Sequence, residues 1–468
     1  MLKKKSEYII CPFCCHRFHP NEADFRLGSV ISLAAKKSKP VPDEKLYNYY
    51  INILNSSLKD AKASSMQQPT VSLGDEGIIY CESDTNKYGF TQHVTYTNSE
   101  GVSEVTDRRL CPNCHNNLPT GYGMRDTVLL SILGDARSGK SVYLTMLINQ
   151  LENNPDFVSK LTFIGDKTAR DSFYETYQRP LFKEHTLISS TKRKKIPPFA
   201  FNYWYQYKDE TGATQENSID LIFYDIAGED LRDDTGIRKN GFNIKDSNGL
   251  IFLVDPTNFS RMSDLFLFSD ANLIEAIPEQ NSNQAVFDTM YNYFLAFSEK
   301  SQIPFALTIS KTDLFRYVNF DFFGNKPFNR IQHMINDEYH RGAVDMPNIK
   351  AMDHEVRELL THLGEDGILN NATGCFKNVV CFAVSSLGRK PSVQQISDPV
   401  TNETVEKGLV DGPLEPFKVK DPFYWILMRN KLLYKHENNR YTLHGETIEK
   451  PVSWWQRFVN FLRQIRSS

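Results

Sequence analysis

The sequence predicts an α/β protein built on a mostly parallel sheet with one antiparallel hairpin strand, plus an amino-terminal module organised on cysteines. Three observations predict it. Apolar runs of strand length recur through the middle of the chain and alternate with helical periodicity. One of them opens into a glycine-bracketed loop, Gly134 to Ser141. Upstream lie two Cys-Pro-x-Cys pairs, Cys11/Cys14 and Cys111/Cys114. A chain of 468 residues divides at roughly 150 residues per domain into two or three units, each with room for a core. The boundaries expected are 1–122, 123–395 and 396–468.

Composition narrows the class. Hydrophobic residues at 40%, charged residues at 24% and a mean hydropathy of -0.45 fit a soluble globular chain rather than a disordered or membrane-embedded one. Lys+Arg 54 against Asp+Glu 57 leaves a net charge of -3, which argues against a generic nucleic-acid coat. The start carries Lys3, Lys4 and Lys5 without the apolar core of a secretory signal, and no run approaches the roughly 18–20 apolar residues of a spanning helix. A cytoplasmic location is expected, where clustered thiols bind metal more often than they form disulfides.

In each Cys-Pro-x-Cys turn the proline tightens the chain and aims two thiolates at one point. Cys11, Cys14, Cys111 and Cys114 together supply the four sulfurs of a structural zinc. The pairs lie farther apart than in an ordinary zinc ribbon, so the intervening stretch reads as an insertion whose ends meet at the metal. A redox dithiol is the alternative. Within the insertion, Asp43 to Asp60 has helical spacing, Ala61 to Pro69 reads as a flexible connector, and Gly77 to Tyr80 and Phe90 to Tyr96 read as short strands. No interleaved aromatic and basic pattern favours nucleic acid, so a structural or partner-docking role is expected.

Asp126 to Gly134 reads as a buried strand and Ser141 to Leu151 as a helix. Between them Gly134-Asp135-Ala136-Arg137-Ser138-Gly139-Lys140-Ser141 is a complete Gly-x-x-x-x-Gly-Lys-Ser phosphate loop in its required setting, running into Val142. Its amides cradle phosphate, Lys140 reaches the terminal phosphates and the Ser141 hydroxyl ligates magnesium. Phe199 to Tyr207 alternates aromatics on one face, turns at Asp209–Gly212, and returns through Ser218 to Tyr224 into Asp225-Ile-Ala-Gly228. This hairpin leading into Asp-x-x-Gly resembles the Ras-like P-loop GTPases of the TRAFAC group. The resemblance implies that Asp225 holds magnesium through water and that the Gly228 amide senses the terminal phosphate.

Three further strands end where the ligand crevice of such a sheet lies. Gly249 to Val254 leads into Asp255-Pro-Thr. Ile303 to Ile309 ends in Ser310-Lys311-Thr-Asp313, close to the base-reading Asn/Thr-Lys-x-Asp of those GTPases with Ser at its first place. Asp313 would accept from the guanine ring N–H and amine, and the Lys311 stem would cover the base. Val379 to Val384 leads to Ser385-Ser386-Leu387, similar to the element whose backbone contacts the base. Thr186 and Thr191 are candidates for a magnesium-bound threonine, with Thr191 preferred. Lys192 to Lys195 reads as a solvated switch loop or as a docking patch for an acidic partner or nucleic acid.

The paired cysteine turns, the phosphate loop running into Val142-Tyr-Leu-Thr, Pro197-Pro-Phe and Asp225-Ile-Ala-Gly-Glu229 together resemble the bacterial double-GTPase 2 family. That resemblance implies a role in bacterial conflict and defence systems and a protein partner, another GTPase-like protein among the candidates. Where many Ras-like enzymes carry a water-orienting glutamine after the glycine, this chain has Glu229. A carboxylate beside a triphosphate is unfavourable unless a cation pairs with it, so slow GTP turnover to GDP is expected, with Arg137 as the pairing cation or a finger supplied in cis. A nucleotide-binding scaffold that barely hydrolyses, and an ATP-using phosphotransferase, are the rival classes.

Asn272 to Ser298 and His354 to Leu363 have helical spacing. Lys390 to Pro416 reads as a loop or arm, Phe423 to Leu433 as a helix, and Val452 to Arg466 as an amphipathic helix. Packing on its own chain is expected for that last helix ahead of partner docking or contact with a membrane surface.

Overall fold

The computed structural model describes residues 8–28, 40–54, 56–79, 91–119, 121–123, 125–135, 137–165, 167–188, 198–226, 244–259, 261–262, 282–295, 299–317, 340–397, 404–436, 440–443 and 446–449. The helix expected over Val452 to Arg466 lies outside these residues.

The two cysteine turns close alike. The Cys11 amide donates to the His16 carbonyl at 2.8 Å and the Cys15 amide to Cys11 at 3.0 Å; Cys111 donates to Asn116 at 3.1 Å and His115 to Cys111 at 2.9 Å. The residue after each pair, Cys15 or His115, turns the chain through left-handed φ values of 56° and 52°. A three-stranded sheet holds the ends of the insertion together, with Asp24–Arg26 lying between Arg109–Leu110 and Thr70–Val71.

The stretch from Ala61, read from sequence as a flexible connector, is ordered. Ser57 caps a helix over Leu58–Ser64 by accepting the Asp60 amide, and Met66–Gln67 then pairs with Val41–Pro42. The cap satisfies an otherwise orphaned amide and the fully buried Ala61 anchors the turn, so Ser and Ala content misled the composition argument. The helical stretch before it is realised as Glu44–Asn52, capped by Asp43. The short strands form at Ile78–Ile79 and Val94–Thr97, joined by Ser103–Thr106.

The central domain is a seven-stranded sheet. Its strands are β1 (Asp126–Gly134), β2 (Ser159–Ile164), β3 (Phe199–Lys208), β4 (Thr214–Asp225), β5 (Gly249–Val254), β6 (Phe305–Ile309) and β7 (Val379–Ala383). They lie in the order β2-β3-β4-β1-β5-β6-β7. Pairing is parallel from β4 through β7 and antiparallel on both sides of β3, so β3 alone runs against the rest. That is the mostly parallel sheet with one antiparallel hairpin strand that the sequence predicts. The edge strand β2 carried no sequence signal: its side chains are exposed or half-buried, so its apolar pattern is diluted.

Strand alternation sends side chains to two cores. Val128, Leu130 and Ile132 of β1 face α1 (Lys140–Glu152) and α5 (Asp421–Arg429); Leu129 and Leu133 face α2 (Ser282–Leu295), α3 (Met346–His362), α4 (Asp366–Cys375) and the four cysteines. The cysteine module therefore packs on one face of the sheet. Full burial of each such aliphatic side chain is worth about 1.5–3 kcal/mol. At Gly249 a Cβ would stand 2.3 Å from Ile426 of α5, a close approach that only glycine permits.

Within the segment read as a loop or arm, Ser392–Ser397 and Thr404–Leu409 pair as an antiparallel hairpin. It is tied to a distant part of the chain. The Leu187 amide donates to Gly408 and the Val410 amide to His185, each at 2.8 Å, contacts that no local pattern reveals.

Candidate functional site

The phosphate loop leaves β1 at its carboxyl end. Gly134 has φ 142°, and a Cβ there would meet the Leu253 carbonyl of β5 at 2.4 Å, so the loop can lie against the neighbouring strand only without a side chain. Gly139 caps α1, whose first turn begins at Lys140. The Lys140 ammonium is buried and donates to the Gly134 carbonyl at 3.0 Å and to Asp135 at 2.7 Å, lying across the loop it is expected to serve. Arg137 is exposed at the loop's crest with φ 66°, a left-handed backbone that costs a non-glycine residue about 1–2 kcal/mol. Val142 packs half-buried against the core beneath.

Asp225 ends β4 beside this loop. The Ser141 hydroxyl donates to Asp225 Oδ2 at 3.0 Å, while Asp225 Oδ1 is buried with no hydrogen-bond partner among the described residues. The Ser138 hydroxyl in the loop is likewise buried and unpaired. Burial pushes the Asp225 carboxyl up, against the lowering effect of Lys140 and Ser141. A buried carboxylate with one unsatisfied oxygen beside a serine hydroxyl is a donor set that fits a hard cation such as magnesium.

The second half of the crevice comes from β5, β6 and β7. Asp313 is buried and accepts from the Ser385 hydroxyl at 2.5 Å; the Gly388 amide in turn donates to that hydroxyl at 2.9 Å. Lys311, with φ 53°, donates to Asp255 Oδ2 at 2.6 Å. The Ser385 loop is braced by the carboxyl-terminal part of the chain. Ser385 and Phe417 exchange backbone hydrogen bonds of 3.0 and 2.7 Å, and the Glu415 amide donates to Leu387 at 3.0 Å. Ser386 lies in the same turn, and the Leu387 side chain packs half-buried on the core.

Ala136, Thr191, Gly228 and Glu229, expected from the sequence to line the site, fall outside the described residues. Thr186, the other magnesium candidate, is buried and donates its hydroxyl to the Pro180 carbonyl at 3.4 Å. Sequence reasoning passed over two contributors. Asp255 was visible as an acid at a strand end facing the crevice, a signal shared with many structural turns. The Phe417 brace is a purely tertiary pairing.

Beneath the sheet, Cys11 Sγ lies 3.7 Å from Cys114 Sγ and Cys14 Sγ 3.7 Å from Cys111 Sγ, and all four sulfurs fall within 4.8 Å of one another. A tetrahedron with Zn–S bonds of about 2.3 Å has edges of about 3.8 Å, so the sulfurs fit a structural zinc. The Phe13 and Asn113 amides donate to Cys11 and Cys111 at 3.4 Å each, and Asn116 Nδ2 to Cys114 at 3.3 Å, bonds that favour thiolate.

Sheet, phosphate loop and crevice define a P-loop GTPase-class fold. The family described as Double-GTPase 2 matches residues 128–373, more than half of the chain, and the chain belongs to that family. It is also similar to a putative ESX-1 scaffolding and assembly protein, SaeC, of Mycolicibacterium smegmatis, 24% identical over 335 residues that cover 68% of this chain and 78% of the relative. Among solved structures it is similar to the signal recognition particle receptor SRb-GTP/SRX complex from Chaetomium thermophilum, at 14% identity and TM-score 0.24, covering 58% of this chain and 95% of that one. The Ski7 GTPase-like domain of S. cerevisiae bound to GDP and inorganic phosphate matches at 14% identity and TM-score 0.28, covering 67% of this chain and 52% of that one. Among the described residues no helix is long and apolar enough to cross a membrane.

Proposed function

We propose that this protein binds GTP with magnesium, hydrolyses it slowly to GDP and phosphate, and uses the nucleotide state to change its affinity for a protein partner. The observation that carries this reading is the convergence, at the carboxyl ends of β1, β4, β6 and β7, of the phosphate loop, the Ser141–Asp225 pair and the Asp313–Ser385 pair in one crevice. Loop amides and the start of α1 would receive the phosphates, with Lys140 turning from the loop carbonyls to the terminal oxygens. Ser141, Asp225 and Thr191 would hold magnesium, which supplies neutralising charge on the phosphoryl oxygens. Asp313 would read the guanine amine, and Lys311, Ser385, Ser386 and Leu387 would shape the base seat.

Two residues set the expected rate. Glu229 in the water-orienting place disfavours a bound triphosphate electrostatically, and Arg137 at the loop crest is the cation available to offset it. The segments 184–199 and 225–241 are the expected switches. The four cysteines would hold zinc as a structural element of a unit spanning 1–122, ahead of a GTPase unit, 123–395, and a carboxyl-terminal unit, 396–468. The family resemblance supports a role in a bacterial conflict or defence system, and the clustered thiols support a cytoplasmic location. A second reading, a nucleotide-binding scaffold with little hydrolysis, is favoured by the similarity to a scaffolding and assembly protein.

Multiple-turnover phosphate release separates the two. The switch reading expects GTP-dependent release by wild type that Lys140→Ala abolishes; tight GTP binding with no release above that variant favours the scaffold. Arg137→Ala is expected to lower turnover with little change in nucleotide affinity, and unchanged turnover removes Arg137 from the mechanism.

A further inference from the structure

We propose that Asp255 is a positioning residue for guanine recognition, locking the Lys311 ammonium so that the lysine stem stands as a fixed wall of the base seat beside Asp313. The inference rests on the guanine reading of the site and deepens it.

Asp255 follows β5 directly and is 1% exposed, whereas the Lys311 side chain is 36% exposed. The ammonium thus pairs with a buried carboxylate while about a third of the lysine side chain remains exposed. The carboxylate is fixed from the other side. The Thr257 amide and hydroxyl both donate to Asp255 Oδ1, at 3.0 and 2.7 Å, which orients Oδ2 toward Lys311 Nζ at 2.6 Å. Lys311 itself has a set backbone. Its φ of 53° is left-handed, the Leu314 amide donates to its carbonyl at 3.0 Å, and the flanking Ser310 and Thr312 amides donate to Val254 and Val384 at 2.9 and 3.2 Å.

A free lysine has many rotamers and would cover a base only part of the time. With backbone and ammonium both held, the stem is ordered before a ligand arrives, and the cost of ordering it no longer opposes binding. Removing the ammonium would leave the buried Asp255 carboxylate without its ion pair to Lys311, so the two residues act as a unit. Asp313 makes its own bond to Ser385.

The test measures affinity of the full-length protein for methylanthraniloyl-labelled GDP, with unlabelled GDP and IDP as competitors, in wild type, Asp255→Asn, Lys311→Ala and the double variant. Asn retains the capping geometry toward Thr257. Asp255→Asn is expected to weaken GDP about tenfold. The double variant should be no weaker than Lys311→Ala, and the GDP/IDP ratio should not change. Wild-type-like affinity of Asp255→Asn, or losses that add in the double variant, overturn the inference while leaving the guanine reading in place. A wild-type protein that binds no labelled GDP overturns the guanine reading and this inference with it. Should Asp255→Asn fail to fold, Thr257→Val, which loosens the carboxylate while keeping its charge, is expected to weaken GDP about threefold, and unchanged binding there overturns the inference.

Discussion

His115 is held by two carboxylates at once: its Nε2 lies 2.9 Å from Asp24, and its Nδ1 2.9 Å from an Asp43 oxygen that also accepts from Arg26. Burial alone would lower this histidine, but the two aspartate bonds outweigh it and raise its pKa, while burial of Asp43 is outweighed by His115, the Leu46 amide and Arg26, leaving that carboxyl at about 2. His115 is the tie between the second cysteine turn and the insertion. Removing it leaves two nearly buried carboxylates facing each other. His115→Ala is expected to destabilise the amino-terminal module by about 3 kcal/mol, checked by chemical unfolding of the zinc-loaded protein. At the nucleotide end, Asp225→Asn removes the charge of a carboxylate whose Oδ1 is buried with no hydrogen-bond partner among the described residues. It is expected to weaken magnesium-dependent GTP binding at least about tenfold while sparing the fold, measured by calorimetry with and without magnesium.

At the scale of elements, the strand-loop-helix of the phosphate site was readable because each part carries a local signature: a buried run, glycines where side chains do not fit, and a helix opening at Lys140. The cysteine turns were readable for the same reason. The Ser385 loop was only half readable, since its motif is short and its shape depends on residues far along the chain. Gly388 makes this concrete: at φ 76°, its Cβ would sit 2.0 Å from the Glu415 carbonyl. Gly388→Ala is therefore expected to lower stability by about 2 kcal/mol and to weaken guanine nucleotide binding, a joint loss that a melt and a titration together will show. Tyr143 in the first turns of α1 donates its hydroxyl to the Val419 carbonyl at 3.0 Å, tying the phosphate-loop helix to the same brace. Tyr143→Phe strands that carbonyl and is expected to cost about 1–3 kcal/mol by thermal melting.

One sheet separates two cores, with the cysteine module on one face and Val419 and α5 with α1 on the other. If the four cysteines hold zinc as proposed, a chelator is expected to open the segment around Cys11–Phe18 and Arg109–Leu118 to limited proteolysis while sparing β1 and α1; unchanged proteolysis counts against a structural metal there. Saturation with GTP and magnesium at a hundredfold excess over the dissociation constant is expected to add about 2.7 kcal/mol to the stability of the native state.

What the sequence determined by itself were the features encoded within a few residues: strand runs, the phosphate loop, paired cysteines and the hairpin before Asp225, because periodicity, glycine placement and thiol spacing act locally. Only the tertiary structure decided the edge strand β2, the hairpin after Ser392, the carboxylate grip on His115, the Asp255–Lys311 pair and the Phe417 brace. Each of these joins groups distant along the chain, and their energies come from contacts and burial that no window of neighbouring residues contains.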